Sequence, residues 1–166
     1  MSGGGVASRL LFAARCAGAG PLAYLLAQAC GLEHPVWAAM SSLIVSQGSF
    51  GETRSSVAGR MAGTVLGVTV SILVNLVIAR FGAPPLAQVA LAVALCALVA
   101  GWRPSLRAGL WTCALVLLTP GPGESVVVVG LQRGAEVILG ALTGGVVHWL
   151  VNAAEARLAP DLQSSN

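Results

Sequence analysis

The sequence predicts an all-α membrane protein with six transmembrane helices, arranged as a 3+3 inverted internal repeat. Three observations predict it: scarce charge, six apolar runs, and one motif that occurs twice. Of 166 residues, 56% are hydrophobic and only 9% are charged, and the mean hydropathy is +0.84. A soluble domain carries about 25% charged residues, so this chain cannot coat a water-facing surface. The composition excludes a cytosolic enzyme, a nucleic-acid-binding domain and a disordered tail. The 21 glycines suit helices that approach closely in lipid. All nine cations are arginines, set against six acids for a net charge of +3. Each is therefore a permanently charged planar fork.

A transmembrane helix needs about 20 mostly apolar residues. The first run spans Leu10 to Cys30, with Gly20-Pro21 as an expected kink. Its Arg9 and the Ala27-Gln28-Ala29 triplet loosely resemble a secretory signal, but Arg15, Gly18, Gly20 and Pro21 interrupt the core, so retention as a first span is expected. The second run, His34-Pro35 to Gln47, is short; Pro35 suits a first turn and Trp37 an interface belt. After a polar loop at residues 48–54, the third run covers Ser55 to Ala79. A turn at residues 80–85 leads to the fourth, Leu86 to Gly101. A basic loop at residues 102–107 leads to the fifth, Ala108 to Thr119. A Pro-Gly break at residues 120–124 precedes the sixth, Ser125 to about Asn152. The domain reading is an N-terminal tail (1–8), a six-helix domain (9–154, with halves near 9–80 and 86–154) and a polar, frayed tail (155–166).

Cys16, Cys30, Cys96 and Cys113 lack ligand spacing and read as small buried hydrophobes, so no metal or other cofactor is expected. With the N-terminus inside, Arg9, Arg15, Arg54, Arg60, Arg103, Arg107 and Arg157 fall on the cytoplasmic side, and Arg80 and Arg133 fall outside. That bias places both termini in the cytoplasm.

The two exceptional sides are linked by a repeat. Residues 60–67 read Arg-Met-Ala-Gly-Thr-Val-Leu-Gly, and residues 133–140 read Arg-Gly-Ala-Glu-Val-Ile-Leu-Gly, an offset of 73. Upstream, Gly51-Glu52-Thr53 matches Gly123-Glu124-Ser125, and Trp37 matches Trp111. Three spans per half is an odd number, so the second half enters the membrane from the opposite side, as in many transporters.

The third run carries a polar or small stripe at Arg60, Thr64, Gly67, Ser71 and Asn75. The sixth repeats it at Arg133, Val137, Gly140, Gly144 and His148. Two readings apply. The stripes face each other, or a second subunit, and line a substrate path; or they are packing seams, the reading favoured for Gly63, Gly67, Gly140 and Gly144. Arg133 has Glu136 at i+3 as an ion-pair partner, while Arg60 has no acid at i+3 or i+4. Arg60 is thus the better anion-binding candidate, against the alternative that it snorkels to the interface. His148, whose repeat partner is Asn75, reads as a hydrogen-bonding residue rather than a proton relay. Glu33-His34 reads as a solvated loop, and Glu52 and Glu124 as helix caps. No nucleophile–base pair or metal cluster occurs, so catalytic residues are not expected.

The run His34-Pro35-Val36-Trp37-Ala38-Ala39, then Gln47, Gly51-Glu52-Thr53 and Arg60-Met61-Ala62-Gly63-Thr64-Val65-Leu66-Gly67 resembles the fusaric acid resistance (FUSC) family, also called aromatic acid exporters. Met40 stands where a leucine is usual. The resemblance implies a bacterial inner-membrane protein that exports aromatic or other organic anions. Plant aluminium-activated malate channels look like distant relatives, in which paired six-helix units enclose an arginine-bearing path. The family arginine carries over to Arg60, with Gly63, Thr64 and Gly67 following and Trp37 at the head of the second run. With one unit where longer members have two, the resemblance implies a homodimer. A non-transporting scaffold or accessory subunit is the alternative.

Overall fold

The computed structural model describes residues 4–163, and every regular element among them is helical. Helix α1 (Gly4–Ala29) continues through Pro21. Gly31, at φ 71°, lets the chain reverse there, and the Leu32 N–H reaches back to the Ala27 carbonyl at 3.0 Å. Helix α2 (Val36–Val45) has ten residues. Helix α3 (Phe50–Ile78) starts with a capping box: the Ser49 hydroxyl accepts from the Glu52 N–H, and the Glu52 carboxylate accepts from the Ser49 N–H. It ends in a 3₁₀ turn closed by Gly82 at φ 69°. Helix α4 (Pro85–Trp102) has Pro at N1. A 3₁₀ turn leads into α5 (Ala108–Leu118), and α6 (Val126–Gln163) completes the chain.

Helices α1, α3, α4 and α6 each contain an apolar stretch long enough to cross a membrane. The two others do not. At 1.5 Å per residue, α2 and α5 reach about 15 Å, half the hydrocarbon thickness. Among the described residues six α-helices are present, of which four are long and apolar enough to span. Helix α2 ends where Ser46 turns to extended backbone at φ −69°, ψ 112°. Helix also runs further at both ends than the apolar pattern predicts, into the segments read as tails. Ala153, Ala154, Ala156 and Ala159 supply strong helix formers past Asn152. Residues 1–3 and 164–166 lie outside the described part.

Helices α3 and α6 pack on each other at the centre. Helix α2 packs on α6 and α1, and α1 also packs on α6; α5 packs on α3 and α4, and α4 also packs on α3. The small residues make these contacts possible. A Cβ on Gly67 would sit 2.8 Å from the Gly109 carbonyl of α5, and one on Gly144 would sit 2.6 Å from the Ser42 carbonyl of α2. Outward, the surface is apolar: Leu25, Val65, Leu73, Leu98, Leu131 and Leu142 are all exposed. That is a surface for lipid, not water. Of the four cysteines, Cys96 and Cys113 are buried as expected, whereas Cys30 is exposed and Cys16 half-buried. Cys30 follows the last turn of α1, beyond the packed region.

Candidate functional site

Nine arginines divide into two groups. Arg9, Arg54, Arg80, Arg103, Arg107 and Arg157 are exposed; Arg15, Arg60 and Arg133 are buried. A charge within an apolar bundle costs several kcal/mol unless it is compensated, so each buried one needs a partner.

Arg60, on α3, lies two to three turns from the helix start. Its guanidinium sits 4.9 Å from the centroid of the Trp111 ring, on α5. A ring face attracts the cation but cannot accept all its N–H groups. Arg60 Nε and Nη1 are buried without a hydrogen-bond partner, and among the described residues no acid forms an ion pair with it. Arg133, on α6, sits 4.3 Å from the centroid of the Trp37 ring, on α2. It differs in having an acid: Nη1 donates to Glu136 Oε2 at 3.1 Å. Glu136 is fully buried, and its other oxygen accepts the His34 backbone N–H at 2.8 Å.

The two arginine–tryptophan pairs meet. Both arginines and both rings line one small apolar cavity of about 70 Å³, with Thr112, Leu115 and Val137 between them. From the face carrying the α2–α3 and α4–α5 connections, a cleft of about 540 Å³ leads to Arg60 and Trp111 past Gln47, Glu52, Ser55, Ser56 and Ser105. Towards the opposite face, only about 10 Å³ remains beside Arg133, Glu136, His34 and Glu124.

The stripes do not face each other. The α3 stripe faces the short helix α5 and then α4; the α6 stripe faces α2 and then α1. Ser71 donates its hydroxyl to the Gly67 and Cys113 carbonyls, at 2.7 and 3.2 Å. Asn75 donates to Gln88 on α4 at 3.0 Å. Gly63 and Gly67 meet Ala108, Gly109 and Thr112 of α5; Gly140 and Gly144 meet Ala38 and Ser42 of α2. Thr64 is buried, its hydroxyl without a partner. The reason is geometric: backbones approach most closely along small residues, and the half-length helices fill those seams. The structure therefore brings Arg60, Arg133, Trp37 and Val137 to the shared cavity. It places Ser71, Asn75 and His148 in hydrogen bonds between helices.

His148 belongs to a second buried polar cluster. Arg15, on α1, has no acceptor, so its Nη1 donates to His148 Nε2, at 2.6 Å. The ring proton then sits on Nδ1 and donates to Thr53 Oγ1 at 2.7 Å. Thr53 Oγ1 also accepts the Gln47 N–H at 3.0 Å. This joins α1, α3 and α6 to the α2–α3 connection, in keeping with a hydrogen-bonding histidine. In the sequence Arg15 reads as a cytoplasmic charge and an interruption of the first apolar run, not as a site residue. The repeat offset held the signal: adding 73 to Arg15 lands on Gln88, the partner of Asn75. His34, read as part of a solvated loop, is exposed in its side chain yet contributes its backbone N–H to buried Glu136. Glu52 caps α3 as expected; Glu124 instead accepts the Gly121 N–H at 2.7 Å in the preceding turn.

The model of the fusaric acid resistance protein family matches residues 9–165, nearly the whole chain. The chain belongs to that family. For a FUSC-family protein, all-helical architecture with several apolar spans fits a multi-pass membrane location, and membership points to membrane transport and efflux rather than enzymatic chemistry. No curated protein and no solved structure matches the chain.

Proposed function

We infer that this FUSC-family protein is a permease exporting aromatic or other organic anions across a bacterial inner membrane, with both termini cytoplasmic. The observation that carries the reading is Arg60: a buried guanidinium with two unpartnered nitrogens, stacked on Trp111 at the end of the large cleft. A permanent cation in a bundle lacks its counter-ion there, and a substrate carboxylate supplies it. Trp111 and Trp37 offer ring faces to an aromatic substrate beside each arginine. Under the positive-inside reading the cleft opens to the cytoplasm, the side from which an exporter loads.

The inverted repeat supports a path through the centre. Two contacts of one half have a counterpart in the other: Trp111 on Arg60 and Trp37 on Arg133; Asn75 with Gln88 and His148 with Arg15. The two arginines then stand on either side of the midplane, at the junction of the halves, where such repeats place their substrates. A homodimer is the proposed assembly. Met40, Leu43, Ile44 and Trp111 leave an exposed apolar flank on α2 and α5 beside the arginine cavity, and a second copy covers it.

Purified protein in sealed proteoliposomes is expected to release trapped 4-hydroxybenzoate at pH 7.5 well above the empty-vesicle rate. The neutral isostere 4-hydroxybenzamide is expected to leave no faster than from empty vesicles. Equal acceleration of both solutes, or of neither, contradicts the proposal.

A further inference from the structure

We propose that Glu136 is a built-in substitute for the substrate: it occupies a second anion site at Arg133, and a carboxylate crossing the protein must displace it. The inference rests on reading Arg60 as the first anion site. Both arginines have the same surroundings: an indole face at 4–5 Å, the same small cavity, and a seam of small residues behind. Of the positions at which the two motifs differ, one changes the charge. Three residues after Arg60 stands Gly63, pressed so close to α5 that a Cβ would lie 2.8 Å from the Ala108 methyl. Three residues after Arg133 stands Glu136.

The Glu136 carboxylate is held as a bound ligand's carboxylate would be. One oxygen takes a guanidinium N–H and the other takes the His34 backbone N–H. Among the described residues, the one other side chain that pairs with it within 4 Å is the His34 ring, 3.9 Å away and largely exposed. The carboxylate is fully buried, and beside it the free space narrows to about 10 Å³, against about 540 Å³ in the cleft before Arg60. Arg60 is thus a cation awaiting an anion, and Arg133 is the same site with its anion supplied by the chain. A substrate carboxylate moving on from Arg60 meets an occupied position. Replacing Glu136 at Arg133 exchanges one carboxylate for another on the guanidinium; the displaced Glu136 stays tethered to α6, releases the His34 N–H of the α1–α2 connection, and its charge, now beside the substrate's, drives one of the two carboxylates off again. The ligand class this selects is an organic anion that presents a single carboxylate. A tethered competitor has an effective concentration of roughly millimolar or more, so the Arg133 site fills only after Arg60.

Equilibrium dialysis of radiolabelled benzoate against the detergent-purified full chain tests this. Wild type is expected to bind one benzoate per chain and Glu136→Ala, which vacates the position beside Arg133, two. Arg60→Gln is expected to bind none, and Arg60→Gln/Glu136→Ala one. A Glu136→Ala protein with wild-type circular dichroism that still binds one benzoate overturns the proposal. Retention of that one benzoate in Arg60→Gln overturns the Arg60 reading instead. A second measurement keeps Glu136 in place. With Trp102 and Trp149 replaced by Phe in both proteins, benzoate quenching of Trp111 in Trp37→Phe is expected to half-saturate at a concentration at least tenfold lower than quenching of Trp37 in Trp111→Phe. Equal half-saturation also overturns the proposal.

Discussion

Arg60→Ala is expected to lower organic-anion flux in proteoliposomes by at least about 30-fold while leaving the thermal midpoint in detergent unchanged or raised. Removing one partner of a buried, hydrogen-bonded charge pair costs about 2–5 kcal/mol, and each 1.4 kcal/mol is about tenfold. That loss falls on the substrate-bound state, because only substrate completes the pair. The free protein responds in the opposite sense. Arg60 has no acid and no acceptor on two of its nitrogens, so the fold carries its desolvation cost without a compensating bond. Alanine removes that cost and forfeits about 0.5–2 kcal/mol of attraction to Trp111. Arg133→Ala gives the contrasting result: it strands fully buried Glu136, so its thermal midpoint falls. Sealed-vesicle flux and differential scanning fluorimetry on the two variants check both halves. A stability loss in Arg60→Ala as large as that in Arg133→Ala would show that Arg60 is structural.

Gly140→Ala is expected to cost the most stability of any single methyl group added to the chain. An ideal Cβ there falls onto the backbone of Ala38, overlapping its carbonyl and Cα, so no side-chain rotation relieves the clash. Helix α2 must move off α6. Overpacking of this kind costs about 1–3 kcal/mol and sometimes more. The displacement also carries Trp37 away from Arg133 and breaks the 2.7 Å bond from the Ser41 hydroxyl to the Val137 carbonyl. Gly18→Ala is the control, since a Cβ at Gly18 meets nothing within 4 Å. Membrane yield and the thermal midpoint in detergent are expected to collapse for Gly140→Ala and to hold for Gly18→Ala. Equal behaviour of the two would contradict the close α2–α6 seam.

Much of this site was legible in the sequence, in identifiable ways. Arg60 and Arg133 stood out because charge within an apolar run is rare, and offsets of 73 and 74 paired Arg60 with Arg133 and Trp37 with Trp111, although not each arginine with the ring that covers it. The capping box at Ser49 and Glu52 and the Arg133–Glu136 pair are local, within one turn, so spacing alone located them. What covers each helical face was not legible. Periodicity says that Arg60, Gly67, Ser71 and Asn75 share a face, but not that α5 and α4 lie against it. The second run was legible as short, but apolar composition alone does not say how far the short helices α2 and α5 reach across a bilayer. Arg15 was hidden by its place near the N-terminus, where a cytoplasmic arginine needs no explanation. The His34 contribution could not have been found, because a backbone N–H leaves no mark on residue identity.

The central claim is that Arg60 lacks a counter-ion that the substrate provides. The most direct measurement is a crystal structure of the protein with 4-iodobenzoate, located by anomalous scattering of the iodine. The account predicts one carboxylate on the Arg60 guanidinium, with its ring against Trp111 and the iodine in the cleft bounded by Ser56 and Ser105. An iodine peak only among the exposed leucines, with no ligand density at Arg60 under saturating ligand, would contradict it.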